Sequence, residues 1–235
     1  MNVKISNLKK SFGNTIACDI PDFTIKEGDM IGLVGNNGAG KTTLFRLMLD
    51  LVKADEGTVS IGEINPAESE DWKNITGAYL DESFLIDFLT PDEYFSFIGR
   101  ICNIDNATLN ERLSSFEHFM NGEVTGNKKL IRDLSAGNKQ KVGIIAALLN
   151  QPQLVILDEP FNFLDPSGQS MLKRLLREYN TKTGATVIIS SHNLSHTIDI
   201  SRRIALLEHG CIIKDLPNDN GSVAEILTEY FDFQS

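Results

Sequence analysis

Cysteine is scarce in this 235-residue chain, and the three present, Cys18, Cys102 and Cys211, lie far apart. An odd number without Cys-x-x-Cys spacing argues against a disulfide framework and against a thiolate metal site. All three are expected to be buried free thiols in a reducing compartment. Positive charge is also in short supply. Twenty-two Lys and Arg face 32 Asp and Glu, a formal net charge of −10. No nucleic acid partner is expected, because neutralising backbone phosphates takes a basic surface. No apolar run approaches the roughly 18 residues that cross a bilayer. The opening residues, MNVKISNLKK, lack the apolar stretch of a secretory signal. Internal repeats and low-complexity linkers are missing too. These absences predict a soluble, cytoplasmic chain whose role at a membrane, if it has one, comes through a partner.

What is present reads as α/β. VKISNL (Val3–Leu8) and FTIKEG (Phe23–Gly28) alternate as strands do, and MIGLVG (Met30–Gly35) is a short apolar run that feeds a loop. TLFRLMLDLV (Thr43–Val52) predicts a helix with Leu44, Leu47, Met48 and Leu51 on one face. GTVSIGE (Gly57–Glu63) predicts another strand. A helix-rich middle follows. Thr90 as N-cap, Pro91 at N1 and Glu93 at N3 make a capping-box pattern. A second helix is predicted over Ala107–Met120 and a third from Ser135 to about Asn150. Then Gln153–Pro160 and Thr186–His192, continuous apolar runs, flank a helical Gly168–Thr181. That is the pattern of parallel strands buried on both faces. Arg203–Ile213 predicts a hairpin around His209–Gly210, and a short helix at about Val223–Phe231 closes the chain. The expected fold is a P-loop core with a mostly parallel sheet, built from about residues 1–82 and 151–235. An N-terminal antiparallel β part and a helical subdomain inserted at about residues 83–150 complete it.

Chemistry is announced by GNNGAGKTT at Gly35–Thr43. Gly35-x-x-x-x-Gly40-Lys41-Thr42 matches the phosphate-binding loop, with an apolar strand before it and an amphipathic helix after it. Gly35, Asn36, Asn37, Gly38, Ala39 and Gly40 would wrap their amide N–H groups around a β-phosphate, helped by the helix dipole. Lys41 can reach the β- and γ-phosphates, Thr42 can offer its hydroxyl to Mg²⁺, and Thr43 can donate to the α-phosphate. LVILDEP places Asp158 at the carboxyl end of a buried strand, where it would hold Mg²⁺ through water. Glu159, next in sequence, can reach an attacking water as general base. A second helix start, LSAGNKQK at Leu134–Lys141, also looks made for an anion, since Ser135 is a capping residue and the first turn offers free N–H groups. A plain helix cap is the other reading of that segment.

Taken together, the phosphate loop, LSAGNKQK, VILDEP, LDP and SSH, in this order and spacing, resemble the ABC-type ATPases, and the resemblance covers about Val3 to Ile213. It implies an ATP-binding and hydrolysing subunit of a membrane transporter, using ATP and Mg²⁺ and paired with a second ABC ATPase subunit and an integral membrane transporter subunit. It would sit on the inner face of the membrane through that partner. In this family the signature segment faces the nucleotide of the partner subunit, which would give Ser135 and Gly137 a phosphate that is not their own. The resemblance further implies that His192 is the switch histidine at the γ-phosphate, that Phe12 stacks on adenine, and that Asp165 makes dimer contacts.

Departures accompany the match. The family's Leu-Ser-Gly-Gly-Gln is here interrupted by Ala136 and Asn138. Glu82 stands where a glutamine meets Mg²⁺, which resembles export-type members, and Asn162 and Phe163 replace Ser-Ala. His118, His196 and His209 read as helix-surface or turn residues. Lys128, Lys129, Arg132, Lys139 and Lys141 either draw in a nucleotide or form a solvated face. The apolar cluster Phe84, Leu85, Ile86, Phe88, Leu89, Tyr94 and Phe95 either packs a helical lobe or receives a membrane partner. Two alternatives to a transporter subunit remain: a soluble ABC ATPase with a non-transport task such as iron–sulfur cluster assembly, and a small-molecule kinase, which would leave LSAGN and His192 unexplained.

Overall fold

The computed structural model describes residues 1–126, 128–218 and 222–232. Two sheets organise it. The smaller is antiparallel, with strands β1 (Val3–Phe12), β2 (Thr15–Ile25) and β4 (Glu56–Ile61) in the order β2-β1-β4. The larger holds β3 (Met30–Val34), β5 (Thr76–Tyr79), β6 (Leu154–Leu157), β7 (Thr186–Ser191), β8 (Arg203–Glu208) and β9 (Cys211–Pro217) in the order β5-β6-β7-β3-β8-β9. Its strands run parallel except β9, which is the return arm of the β8–β9 hairpin.

Strands β3, β6 and β7 are buried at every position, as expected of a parallel sheet covered on both faces. Alternation divides their side chains between two cores. Ile31, Leu33, Leu154, Ile156 and Ile188 face the small sheet and helix α1 (Lys41–Met48), where Phe45 is fully buried. Met30, Val155, Leu157, Val187 and Ile189 face the other way, toward α2 (Pro91–Ile101), α3 (Asn106–Ser114), α4 (Glu117–Met120), α5 (Ala136–Leu149) and α6 (Pro166–Thr183). Each such fully buried side chain contributes roughly 1.5–3 kcal/mol of transfer free energy. A smaller third cluster joins Val34, Ile204 and Leu206 to α7 (Leu194–Ile200) and α8 (Ser222–Asp232).

The capping box at Thr90 forms as expected, with Thr90 N–H donating to Glu93 at 2.8 Å. Several boundaries differ, each for a local reason. Strand β2 begins at Thr15, well before Phe23, because it is an edge strand and tolerates Pro21, which breaks the sequence pattern. Helix α1 stops at Met48. Asp50 turns left-handed (φ 50°), and Leu51 is 47% exposed rather than on the core face. The helix expected over Ala107–Met120 splits into α3 and α4. The Ser114 and Ser115 hydroxyls bond back to the carbonyls of Asn110 and Arg112, offering the backbone an alternative to continued helix. Of the cysteines only Cys18 is fully buried, and burial pushes its thiol up to about 12; Cys102 and Cys211 are half-buried. Among the described residues, no helix is long and apolar enough to cross a membrane.

The strand order has a direct consequence. Strands β6, β7 and β3 are neighbours and parallel, so Asp158–Glu159, His192 and the glycine loop all leave the same edge of the sheet side by side.

Candidate nucleotide site

The glycine loop is clamped from behind. Gly210 N–H in the β8–β9 turn donates to Ala39 O at 2.9 Å, and Asp19 N–H on β2 donates to Gly210 O at 2.9 Å. Gly40 has φ 107°, and a Cβ there would lie 2.5 Å from Ala17 O, so only glycine fits. Helix α1 starts on this residue with no side-chain cap, which leaves its first amide donors for a phosphate. Asn36, Asn37 and Gly38 form the exposed tip, Ala39 is buried, and Thr42 and Thr43 are half-buried in the first turn. Lys41 is buried, and its ammonium donates to Gly35 O at 2.6 Å and Asn36 O at 3.3 Å.

Facing the loop is Asp158, 6% exposed. The Thr42 hydroxyl donates to its Oδ2 at 2.5 Å, and the Ser190 hydroxyl on β7 donates to Oδ1. Burial raises the Asp158 carboxyl above the ordinary carboxylate range. The Ser190 and Thr42 donors pull the other way, while the neighbouring Glu159 charge adds to the rise. A hydroxyl and a carboxylate brought together beside a phosphate loop are hard oxygen donors, a set that fits Mg²⁺.

Glu159 turns left-handed (φ 47°) immediately after the strand, an unfavourable geometry for a non-glycine residue. The turn is held by Glu159 N–H donating to Ser190 Oγ at 2.8 Å and by the Gln140 amide donating to Glu159 O at 3.3 Å. The carboxylate then lies between two basic side chains. Oε2 lies 2.9 Å from His192 Nδ1, and Oε1 lies 3.5 Å from Lys41 Nζ. The structure thus gathers Lys41, Thr42, Asp158, Glu159 and His192 into one cluster.

Ser135 and Gly137 stand elsewhere. They line a cavity of about 370 Å³ with Asn138, Lys141, Phe163 and Asp165, and no residue of the glycine loop borders it. Ser135 caps α5, accepting from Asn138 N–H at 3.3 Å. Gly137 has a second reason to be glycine: a Cβ there would sit 2.7 Å from Phe163 O. Asp165 caps α6, accepting from Gly168 N–H at 2.7 Å. Phe12 is 54% exposed at the end of β1, with Lys10 Nζ 5.5 Å from its ring centroid. Glu82 meets Lys139 of α5 at 3.0 Å. Lys141 meets Glu123 at 3.1 Å, so Lys139 and Lys141 each have an acidic partner within the chain. His118 is exposed, His209 sits in the hairpin turn, and His196 is half-buried on α7. Its ring lies 5.1 Å from that of Phe161, its Nδ1 is buried without a hydrogen-bond partner, and burial lowers its pKa.

Residues 18–162 match the ABC transporter family. The chain belongs to that family. Among relatives, the cassette is 31% identical over 232 residues to the lantibiotic transport ATP-binding protein SrtF of Streptococcus pyogenes, covering 99% of this chain and 96% of the relative. It is 31% identical over 214 residues to a probable sulfate/thiosulfate import ATP-binding protein, CysA, of Chlorella vulgaris, covering 91% and 90%. Its fold superposes with TM-score 0.82, at 24% identity, on a dimeric ATP-binding cassette bound to ADP and Pi, covering 93% of this chain and 99% of that one. The chain is an ABC ATPase, the ATP-binding subunit type of these transporters.

Two contributors to the cassette's site were not singled out from the sequence. Ser190 holds both Asp158 and the Glu159 backbone; its signal was two serines ending the apolar run TVIISS. Gln140 is 6% exposed in the middle of α5, and a buried glutamine carries no sequence cue of its own.

Proposed function

We propose that this ABC ATPase powers export across a membrane, binding ATP·Mg²⁺ between two protomers and driving a separate transmembrane subunit. The observation that carries the split site is the separation of its two anion-facing helix starts. Asn36–Ala39 border one cavity, and Ser135 and Gly137 another, with no residue in common. On this reading a phosphate held at Ser135 comes from a second chain.

On this reading the loop amides and Lys41 grip the phosphates, with Lys41 leaving Gly35 O to do so. Thr43 donates to the α-phosphate and Phe12 stacks on the adenine. Thr42 and Asp158 hold Mg²⁺, and Glu82 reaches it through water once its pair with Lys139 opens. Bound Mg²⁺ neutralises charge on the β- and γ-phosphate oxygens. Glu159 orients the attacking water and takes its proton, and His192 aligns Glu159 and reaches the γ-phosphate.

The membrane partner is supported by the apolar cluster near α2. Leu85, Tyr94 and Phe95 are buried in the core and Ile86 and Leu89 pack against it, but Phe84 and Phe88 are 47% and 65% exposed. Phe97 and Ile101 add to the exposed group. The export direction is supported by Glu82 in place of glutamine, which resembles export-type members.

Glu159→Gln tests the core of this reading. The variant should bind ATP with affinity within about threefold of the parent while turnover drops by roughly 10²–10⁴, the usual worth of a general base. It should also accumulate as an ATP-dependent dimer and bring down an integral membrane protein on purification from membranes. Undiminished phosphate release would remove Glu159 from the base role.

A further inference from the structure

Ser190 is the last residue but one of β7 and is fully buried. The parallel register, which sets Leu157 opposite Ile189, brings it beside Asp158. A serine hydroxyl has one proton to give and two lone pairs with which to accept. Here the proton goes to Asp158 Oδ1, and the oxygen accepts from Glu159 N–H at 2.8 Å. One small group thus touches the side chain of one residue and the backbone of the next. Both contacts fall where orientation matters. With Oδ1 engaged by Ser190, the Asp158 carboxylate turns Oδ2 to the Thr42 hydroxyl, 2.5 Å away. With its N–H engaged, Glu159 is held in its left-handed turn, φ 47°, a conformation that persists only where the surroundings impose it. That turn sets the Glu159 carboxylate against His192 and Lys41.

We propose that Ser190 is a positioning residue that ties Asp158, the metal ligand, to Glu159, the base, so that one hydroxyl orders both carboxylates. The proposal rests on the reading in which Thr42 and Asp158 hold Mg²⁺ and Glu159 takes the proton of the attacking water. Ser190 acts only through these two neighbours. Removing its hydroxyl takes a partner from Asp158 Oδ1 and from Glu159 N–H in a place closed to solvent. An outer partner that orients a metal ligand is typically worth about 10- to 100-fold in metal affinity or activity. A hydroxyl that merely satisfied buried polar groups would change stability and nothing else. Thr186 supplies that comparison on the same strand. It is also buried, and its hydroxyl also accepts a backbone N–H, that of Gly28 at 3.0 Å, but at the end of β7 opposite the site.

The test compares Ser190→Ala, Ser190→Cys and Thr186→Val, with thermal melts to confirm that each folds. Binding of a non-hydrolysable ATP analogue is measured by calorimetry, once with Mg²⁺ and once with chelator. Ser190→Ala should weaken binding in Mg²⁺ about tenfold and leave binding in chelator within about twofold, while turnover drops about 10- to 100-fold. Ser190→Cys, close in size but a weak donor and acceptor, should match it, which separates lost hydrogen bonds from lost volume. Thr186→Val should melt lower with both affinities unchanged. In the Glu159→Gln chain, Ser190→Ala should still weaken binding in Mg²⁺ but slow turnover by no more than about twofold further, because the base it serves is gone. Parental Mg²⁺-dependent affinity and turnover in both Ser190 variants overturn the proposal. So do equal losses with and without Mg²⁺, or losses matched by Thr186→Val, which make Ser190 purely structural. A full further loss of turnover on top of Glu159→Gln cuts the tie to the base. Undiminished turnover of Glu159→Gln alone is a different failure, that of the base reading itself.

Discussion

Helix α1 starts at Lys41 on a left-handed Gly40 with no side-chain cap, whereas α5 starts after Ser135, whose hydroxyl makes a long cap to Asn138 N–H. Around the first start the chain packs the residues proposed to serve cleavage: a buried lysine, the Thr42–Asp158 pair, and Glu159 set between Lys41 and His192. Around the second it packs almost nothing reactive. Its glycine lies against Phe163 O, and its nearby lysines pair with Glu82 and Glu123. On the proposed reading the same element of structure, a helix N-terminus, is in one place a catalytic cradle and in the other only a grip. The difference lies in which strand ends surround it. The first start lies among the ends of β6, β7 and β3, whereas the second meets only the segment that leaves β6, at Phe163 O and Glu159 O.

The sharpest way to break that contrast is at Asp158, since nothing near Ser135 corresponds to it. Asp158→Asn should cut ATP turnover by on the order of 10²–10³, because several kcal/mol of metal-assisted charge stabilisation depend on the carboxylate. The same change should stabilise the fold. Burial raises this carboxyl in the native chain, so between its unfolded and folded pKa values the native state binds more protons. Stability therefore falls as pH rises through that window, and at neutral pH the buried carboxylate is a net cost. In thermal melts with chelator present, the Asn variant should melt higher at pH 7, with the gap closing as pH drops through the carboxylate range. A variant that melts lower at pH 7 would mean the Thr42 and Ser190 donors outweigh burial.

Next in size is a matched pair of substitutions, one at each helix start. Lys41→Ala should weaken ATP binding by the isolated chain about 10- to 100-fold, the cost of losing charge-assisted contacts to phosphate. Ser135→Arg should leave that affinity within about twofold and abolish the ATP-dependent dimer. Calorimetry on the single chain and light scattering with ATP separate the two. Equal loss of single-chain affinity in both variants would place both helix starts on one nucleotide and end the contrast.

The two starts also differ in how far the sequence reveals them. Lys41, Thr42, Asp158, Glu159 and His192 are legible because each follows a strand within a few residues, and parallel neighbours bring strand ends together without any long-range information. The Ser135 helix and its boundaries are equally legible from its cap. What surrounds it is not. That Gly137 packs on Phe163 O, that Gln140 supports Glu159, or that Ser190 bridges Asp158 and the Glu159 backbone depends on segments about 20 or more residues apart. The break between α3 and α4 and the early end of α1 were missed because serine back-bonding and a single left-handed Asp50 leave hydrophobic spacing undisturbed.

Glu82 joins the two regions, and its effect should be the smallest. The sequence assigns it to Mg²⁺ beside the first helix start; the structure pairs it with Lys139 in the first turns of the second, at 3.0 Å. The glutamate side chain is 62% exposed and the lysine 22%, so solvent screens the pair and its worth is about 0–1 kcal/mol. Glu82→Gln and Lys139→Gln should each lower stability by no more than that, and the double variant should match either single one within about 0.5 kcal/mol, with the effect fading in 1 M salt. ATPase assays then decide between the two sites. If Glu82 serves only the lysine, both single variants leave the Mg²⁺ dependence of turnover alike. If Glu82→Gln alone shifts the Mg²⁺ midpoint, the carboxylate leaves Lys139 when nucleotide binds, and the pair becomes a latch between the helix that grips one phosphate and the site that cleaves another.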